Sequence, residues 1–319
     1  MFSGLTDADF DAYLLPKQRS NVYNRERLEV KQRLLVLGQA LQQQLGVQLS
    51  GIDGSPFELA ASIEHPALVN HKTVESQHLY FSRNELARRE LDAINDRARG
   101  VASMLEDTTP QRSHAFLAVS IFHDRLEVSF RIHPEATVDR QNLTRKCQDP
   151  YELAQFDGLV RALPVGFHLA LAPDVLEAHA LAADVLDGLL RRFAALSPAT
   201  LSGPPALFSL TRSHARHAVI VAADALPDVL GEELAALAAI YRFAAWARNN
   251  DFTTVKETLA KQATERRQKG IVRGDVVRVV RGLLSGQRGT VQDVDPRGAM
   301  RVLVGKLTVK VDAADVERS

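Results

Sequence analysis

Seven cations near the C-terminal end are the residues best placed to do chemistry: Arg273, Arg278, Arg281, Arg288, Arg301, Lys306 and Lys310. Guanidinium and ammonium groups donate charge-assisted hydrogen bonds to phosphate oxygens, and binding of that kind weakens steeply as salt rises. The charge balance points the same way. Lys256 to Ser319 holds 14 Lys and Arg against 8 Asp and Glu, a net of +6, and the remaining 25 against 31 leave the rest of the chain at −6. A basic tail on an acidic body favours an anionic partner for the tail. Three readings stay open for these side chains: a phosphate-contacting surface, a protein-docking surface and a passive solvated face.

Elsewhere the chain offers chemistry-bearing residues without a pattern that organises them. His65, His71 and His78 recur near two expected strands, and His214 and His217 lie three apart. No HExxH, cysteine pair or acidic pair at ligand spacing accompanies them, so they read as surface or capping histidines, and no metal site is expected. Asp139-Arg140-Gln141-Asn142 with Arg145-Lys146 could line a polar cleft, but reads more simply as a helix start with a solvated face. Cys147, the single cysteine, cannot form an internal disulfide and reads as a partly buried, inert thiol. There is no glycine-rich phosphate loop, dinucleotide fingerprint or G-x-S-x-G elbow. No catalytic residue and no cofactor is therefore assigned.

The elements that must position these residues follow from periodicity. A helix is expected over Asn24–Leu45, with Leu28, Leu34, Leu35, Leu37, Leu41 and Leu45 on its apolar face. Strands are expected at Phe57–Ile63 and His78–Phe81. A helix over Asn84–Leu105 follows, opened by a capping box from Ser82 to Glu85, with Leu86 among its apolar positions. A hairpin of Ala115–Phe122 and Leu126–Ile132 comes next, its second strand buried on one face and wet on the other. Helical residues about 138–163 break at Asp149-Pro150. A strand at Phe167–Leu171 and a helix over Asp174–Leu196, with Val175 and Val185 inward, lead to a Pro-rich loop. Strands at Leu207–Leu210 and Ala218–Ala222 then precede a helix over Gly231–Arg248. Hairpin then helix, twice over, gives the α+β class, a mixed or antiparallel sheet with packed helices. A polar helical spacer then runs to Gly270.

After that spacer, Val277 and Val279 alternate with Arg278, and Gly282, Gly286 and Gly289 punctuate a turn before Thr290-Val291. Asp295-Pro296-Arg297-Gly298 makes a second turn; Met300, Val302 and Val304, then Leu307, Val309 and Val311, form further strands. Short strands with inward aliphatic residues and glycine turns read as a small barrel. The pattern Gly274-Asp275-x-Val277-x-Val279, Gly282-x-x-x-Gly286-x-x-Gly289-x-Val291, Val294-Asp295, and Gly305-Lys306-x-Thr308-Val309 to Asp315-Val316-Glu317 resembles the C-terminal KOW domain of the NusG transcription factor family. The resemblance covers about 45 residues of the 319. It implies an SH3-like barrel that binds RNA, ribosomal proteins or the transcription machinery. No aromatic residue occurs from Gly270 to Ser319, so base stacking is not expected to contribute.

The sequence thus predicts a body of unrecognised family at 1–250, a helical spacer at 251–270 and a KOW-like SH3-type barrel at 271–319. The expected function is that of a non-enzymatic adaptor for nucleic acid, DNA or RNA, or for a transcription or translation complex. The alternatives are an enzyme acting on nucleic acid, its catalytic groups in the body and the barrel for targeting, and a protein-docking regulatory factor. The acidic, interrupted N-terminus and the lack of about 18 consecutive apolar residues predict no signal peptide and no membrane span, and the single cysteine argues for a reducing cytoplasm.

Overall fold

The computed structural model describes residues 2–62, 66, 73–98, 110–196, 207–253, 271–280, 284–295, 299–305, 307–312 and 315–318. The chain forms two compact units, Met1–Thr253 and Thr254–Ser319. Most of the expected spacer, 254–270, lies outside the described residues, as do the Pro-rich loop and the end of the helix expected to reach Leu105. No described helix is long and apolar enough to cross a membrane.

The body is built on an antiparallel sheet of seven strands: β1 (Glu58–Ala61), β2 (Ser76–Ser82), β3 (Phe116–Phe122), β4 (Arg125–Ile132), β5 (Phe167–Leu171), β6 (Asp174–Glu177) and β7 (Phe208–Ala215). Their spatial order is β1-β2-β3-β4-β7-β5-β6. The helices are α1 (Asp7–Asp11), α2 (Asn24–Leu45), α3 (Glu85–Ala98), α4 (Pro110–Ser113), α5 (Thr137–Lys146), α6 (Pro150–Arg161), α7 (Ala183–Ala195), α8 (Arg216–Ala222) and α9 (Leu226–Ala244). In α2, Val30, Leu34, Leu37 and Leu41 recur at helical spacing and are buried, and Leu28 faces outward. Helices α2 and α9 pack on one another and on the central strands. Their apolar faces meet Leu79, Phe81, Leu117, Val119, Val128 and Phe130 in a single core.

Several local expectations are corrected by sheet pairing. Residues 174–177 are not helical: they form β6, which pairs with β5 from Leu171↔Asp174 to His168↔Glu177 across the Ala172-Pro173 turn. Edge pairing here overrides a helical period that placed Val175 inward, and Val175 and Val185 are both exposed. The two strands expected around residues 207–222 are one strand, β7, followed by helix α8. The whole of β7 registers on β4 from Ile132↔Phe208 to Arg125↔Ala215, which carries the strand on past Leu210. There is accordingly no hairpin over residues 207–222. Helix α9 begins earlier than expected, with a proline in its first turn, where the missing N–H costs no helical bond. The Asp149-Pro150 break is as read: the Asp149 carboxylate accepts from Tyr151 N at 2.8 Å and so caps α6. Helix α3 is capped by Asn84, whose Oδ1 accepts from Ala87 N at 2.9 Å, and Leu86 is exposed.

The second face of the central strands is not wet. Ser120 and Ser129 are fully buried there. His78 Nδ1 lies 2.8 Å from Ser120 Oγ, Arg131 Nε donates to Ser129 Oγ at 2.8 Å, and Glu127 takes Arg125 at 2.7 Å. Polar groups on that face satisfy one another instead of water.

The C-terminal unit is a second antiparallel sheet: β8 (Val276–Val279), β9 (Arg288–Val294), β10 (Ala299–Val304), β11 (Leu307–Asp312) and β12 (Val316–Arg318), in the order β11-β10-β9-β8-β12. Val277, Val279, Val291, Met300, Val302, Val304 and Val316 form its core. Alternation holds in β8 and β10, whereas Leu307 of β11 is exposed. Gly289 permits the closest approach. A Cβ there would lie 2.5 Å from Val302 Cγ1 and 2.7 Å from the Leu303 carbonyl oxygen. Strands β11 and β12 are the two ends of this sheet, and no pairing joins them among the described residues.

Candidate functional site

Because Val277 and Val279 turn inward, Arg278 between them must turn outward, and the same parity exposes Arg301 between Met300 and Val302. Cross-strand register then decides which cations meet. Arg278 of β8 stands opposite Arg288 of β9, and Arg301 of β10 stands opposite Lys310 of β11; all four are exposed. Two like-charged pairs therefore share the outer face of one small sheet. Like charges directly opposite repel, and each pair destabilises the sheet by an amount on the order of 0.2–1 kcal/mol. An anion seated between the partners would relieve that repulsion.

Acidic residues stand in register beside one member of each pair. Glu317 registers on Arg278, and Asp293 registers on Arg301. Asp295 lies 4.0 Å from Lys310. Along β9, Arg288 and the Asp293 position beside Arg301 are separated by roughly 17 Å at about 3.4 Å per residue. Four of the seven candidate cations therefore form two separate basic pairs. Arg273 is exposed ahead of β8, and Arg281 and Lys306 lie outside the described residues.

The body's polar candidates resolve differently. His65 and His71 lie outside the described residues. His78 sits between Ser120 and Ser76, its Nε2 being 3.2 Å from Ser76 Oγ. Burial, reinforced by the Arg131 charge, pushes its pKa down to about 3, so the imidazole is neutral at physiological pH. His214 Nε2 lies 2.9 Å from Glu233, whose other oxygen takes Arg212 at 2.8 Å, while His217 is exposed on α8. Among the described residues, no three or more His, Cys, Asp or Glu side chains are grouped to hold a metal ion. The Cys147 thiol is buried, and burial pushes its pKa up to about 12.

The largest departure from the sequence reading is α5. Its expected solvated face is inside the protein: Asp139 and Asn142 are fully buried, and Arg140 and Lys146 nearly so. Asp139 Oδ1 accepts from the Arg83 guanidinium and from Trp246 N at 2.8 Å, and its Oδ2 accepts from Ala115 N at 2.7 Å. Asn142 donates to the Ala244 carbonyl at 3.1 Å and accepts from Phe252 N at 2.8 Å. Lys146 donates to Asn250 Oδ1 at 2.9 Å, its ammonium 4.0 Å from the Phe243 ring centroid. Burial disfavours the Arg83 charge, but Asp139, followed by Tyr241, outweighs it and holds the guanidinium pKa above its ordinary value. This helix pins the segment after α9 to the body. Arg83 and Trp246 were not picked out from sequence because each reaches Asp139 from a distant part of the chain.

These arrangements leave a cationic outer face on the C-terminal sheet and a buried polar layer in the body built around Arg83 and Asp139. No protein-family model matches the chain, and no curated protein matches it either.

Proposed function

We propose that this chain is a non-enzymatic adaptor that engages nucleic acid, or a transcription or translation complex containing it, through a C-terminal unit that is an SH3-like barrel of the NusG-like KOW type. The body supplies a second contact, and two weak contacts on one chain gain affinity through effective concentration. One observation carries the reading: Arg278 faces Arg288 and Arg301 faces Lys310 across neighbouring strands, an arrangement costly to the sheet alone and favourable beside phosphates. The unit has no aromatic residue, so recognition is by charge and shape, tolerant of sequence.

The test is fluorescence anisotropy of the full chain with labelled single- and double-stranded oligonucleotides, from low to physiological salt. Affinity falls log-linearly with salt, and Arg278→Ala with Arg288→Ala lowers the slope by about 1–2. Salt-independent binding, or a slope unchanged by this pair and by Arg301→Ala with Lys310→Ala, overturns the proposal. Asp293, exposed and in register with Arg301, favours one second reading, a protein-docking surface of mixed charge. It predicts capture of a ribosomal or transcription protein that persists after nuclease treatment.

A further inference from the structure

Register lays out the outer face of the C-terminal sheet in rows. Val276, Thr290, Leu303 and Thr308 stand opposite one another across β8, β9, β10 and β11, a row that is uncharged from end to end. Val276, Thr290 and Thr308 are exposed, and Leu303 is half-buried. At about 4.8 Å between strands the row is roughly 14 Å wide. Arg278 and Arg288 stand two residues from it on one side, and Arg301 and Lys310 two residues from it on the other. Each pair is thus about 7 Å from the row at 3.4 Å per residue. The register shift beside Val302 inserts Gln292 on β9, which lengthens the path along that strand.

A cation pair, an uncharged row and a second cation pair complement a groove between two phosphate backbones. Reach decides which groove. No side chain of the row is longer than leucine, so with the flanking cations on the rims it cannot touch the floor of a B-form groove, roughly 7.5–8.5 Å deep. The minor groove of an A-form RNA duplex is wide and shallow, and it brings 2′-hydroxyls up to the surface. A threonine hydroxyl both donates and accepts, so it pairs with a 2′-hydroxyl in either direction. Unpaired strands fit less well, because the unit has no aromatic ring on which bases could stack. Acidic residues mark the outer margin: Asp293 stands beside Arg301, and Asp312 lies one row beyond Lys310, so phosphates are drawn to the inner side of that pair.

We propose, on the reading that the C-terminal unit engages nucleic acid, that its outer face recognises double-stranded RNA across the minor groove. Arg278 and Arg288 take phosphates of one strand, and Arg301 and Lys310 take phosphates of the other. Thr290 and Thr308 meet the 2′-hydroxyls between them, and Val276 and Leu303 lie against the sugar carbons. Phosphate contact alone does not tell RNA from DNA; the threonine hydroxyls supply that distinction.

The full chain is titrated against an RNA duplex, the DNA duplex of the same sequence and one unpaired RNA strand, with anisotropy read from low to physiological salt. The RNA duplex binds about tenfold more tightly than either of the others. Thr290→Val with Thr308→Val removes both hydroxyls and keeps their shape and strand preference, so the thermal midpoint stays that of the parent. Affinity for the RNA duplex then falls about fivefold to tenfold, to that of the DNA duplex. The proposal fails if the DNA duplex or the unpaired strand binds as tightly as the RNA duplex, or if the double variant keeps the full preference. In those cases salt-dependent binding survives, and the broader nucleic-acid reading with it. Absence of salt-dependent binding to every probe overturns both.

Discussion

The two units solve the problem of polar side chains in opposite ways. The body takes charged groups inside and pairs them: Arg83 with Asp139, Glu233 with Arg212 at 2.8 Å, and Lys146 with Glu152 at 3.7 Å. The C-terminal unit keeps an aliphatic interior of valines and one methionine, and leaves its like-charged pairs on the outside, facing each other. Buried pairs hold distant segments in place but contribute little net stability, because desolvation offsets attraction. Exposed like pairs cost a little stability and leave charge ready for a partner. The body is thus committed to its own architecture, and the small sheet is committed to its surroundings.

The contrast breaks most sharply at Asp139. Asp139→Asn leaves the Arg83 guanidinium buried without a counter-charge, and a loss of about 3–5 kcal/mol is expected for the body. Urea unfolding followed by Trp246 emission measures it; a loss below about 1 kcal/mol would show that water reaches Arg83. Next in size is Gly289→Ala. Its Cβ collides with Val302 and the Leu303 carbonyl, and about 1–3 kcal/mol is lost from the C-terminal unit alone. Hydrogen exchange resolves the two units: protection drops in residues 271–318 and holds in the body.

A pH titration sharpens the comparison further, since all ten histidines lie in the body and none after His217. His78 has a folded pKa depressed to about 3 by burial and Arg131. The unfolded chain therefore binds the extra proton first, near pH 6.5. This contribution to stability is fully present above pH 6.5 and is lost progressively as pH falls toward 3, by up to about 1.4 kcal/mol per pH unit. His133, lowered chiefly by burial, acts in the same direction. Denaturant midpoints at pH 7 and 5.5 should fall for the body, and His78→Gln should flatten the fall. An equal fall in His78→Gln would remove His78 as its source.

The smallest effect carries an informative sign. Arg288→Glu replaces repulsion across β8 and β9 with attraction toward Arg278, and should stabilise the C-terminal unit by about 0.2–1 kcal/mol. The same change should weaken oligonucleotide binding. If stability and binding moved together, the idea of cations held apart from their own fold's interest would fail.

Much of the fold was legible where a local rule acts alone. The bounds of α2 follow from its leucine period, the start of α6 from Asp149-Pro150, and β8 and β10 from strict alternation. Legibility ended where a partner far along the chain decides. β6 and β7 are strands because β5 and β4 lie beside them. The ten residues of α5 have no apolar stripe to mark burial, and the groups that satisfy Asp139 come from Arg83, Ala115 and Trp246. The seven candidate cations were readable by type, but their grouping was not. Register between β8 and β9, and between β10 and β11, makes two pairs from residues that sequence presents as one series.

The seven-stranded sheet ends on β1 and β6, each only four residues long. A strand this short exposes few free backbone groups, and acidic residues on those margins are paired, Glu58 with Arg88 at 3.0 Å and Asp174 with Arg192 at 2.6 Å. Another copy approaching edge to edge would meet a short template whose flanking charges are already engaged. Short margins of this kind guard an antiparallel sheet against edge-to-edge pairing with another chain.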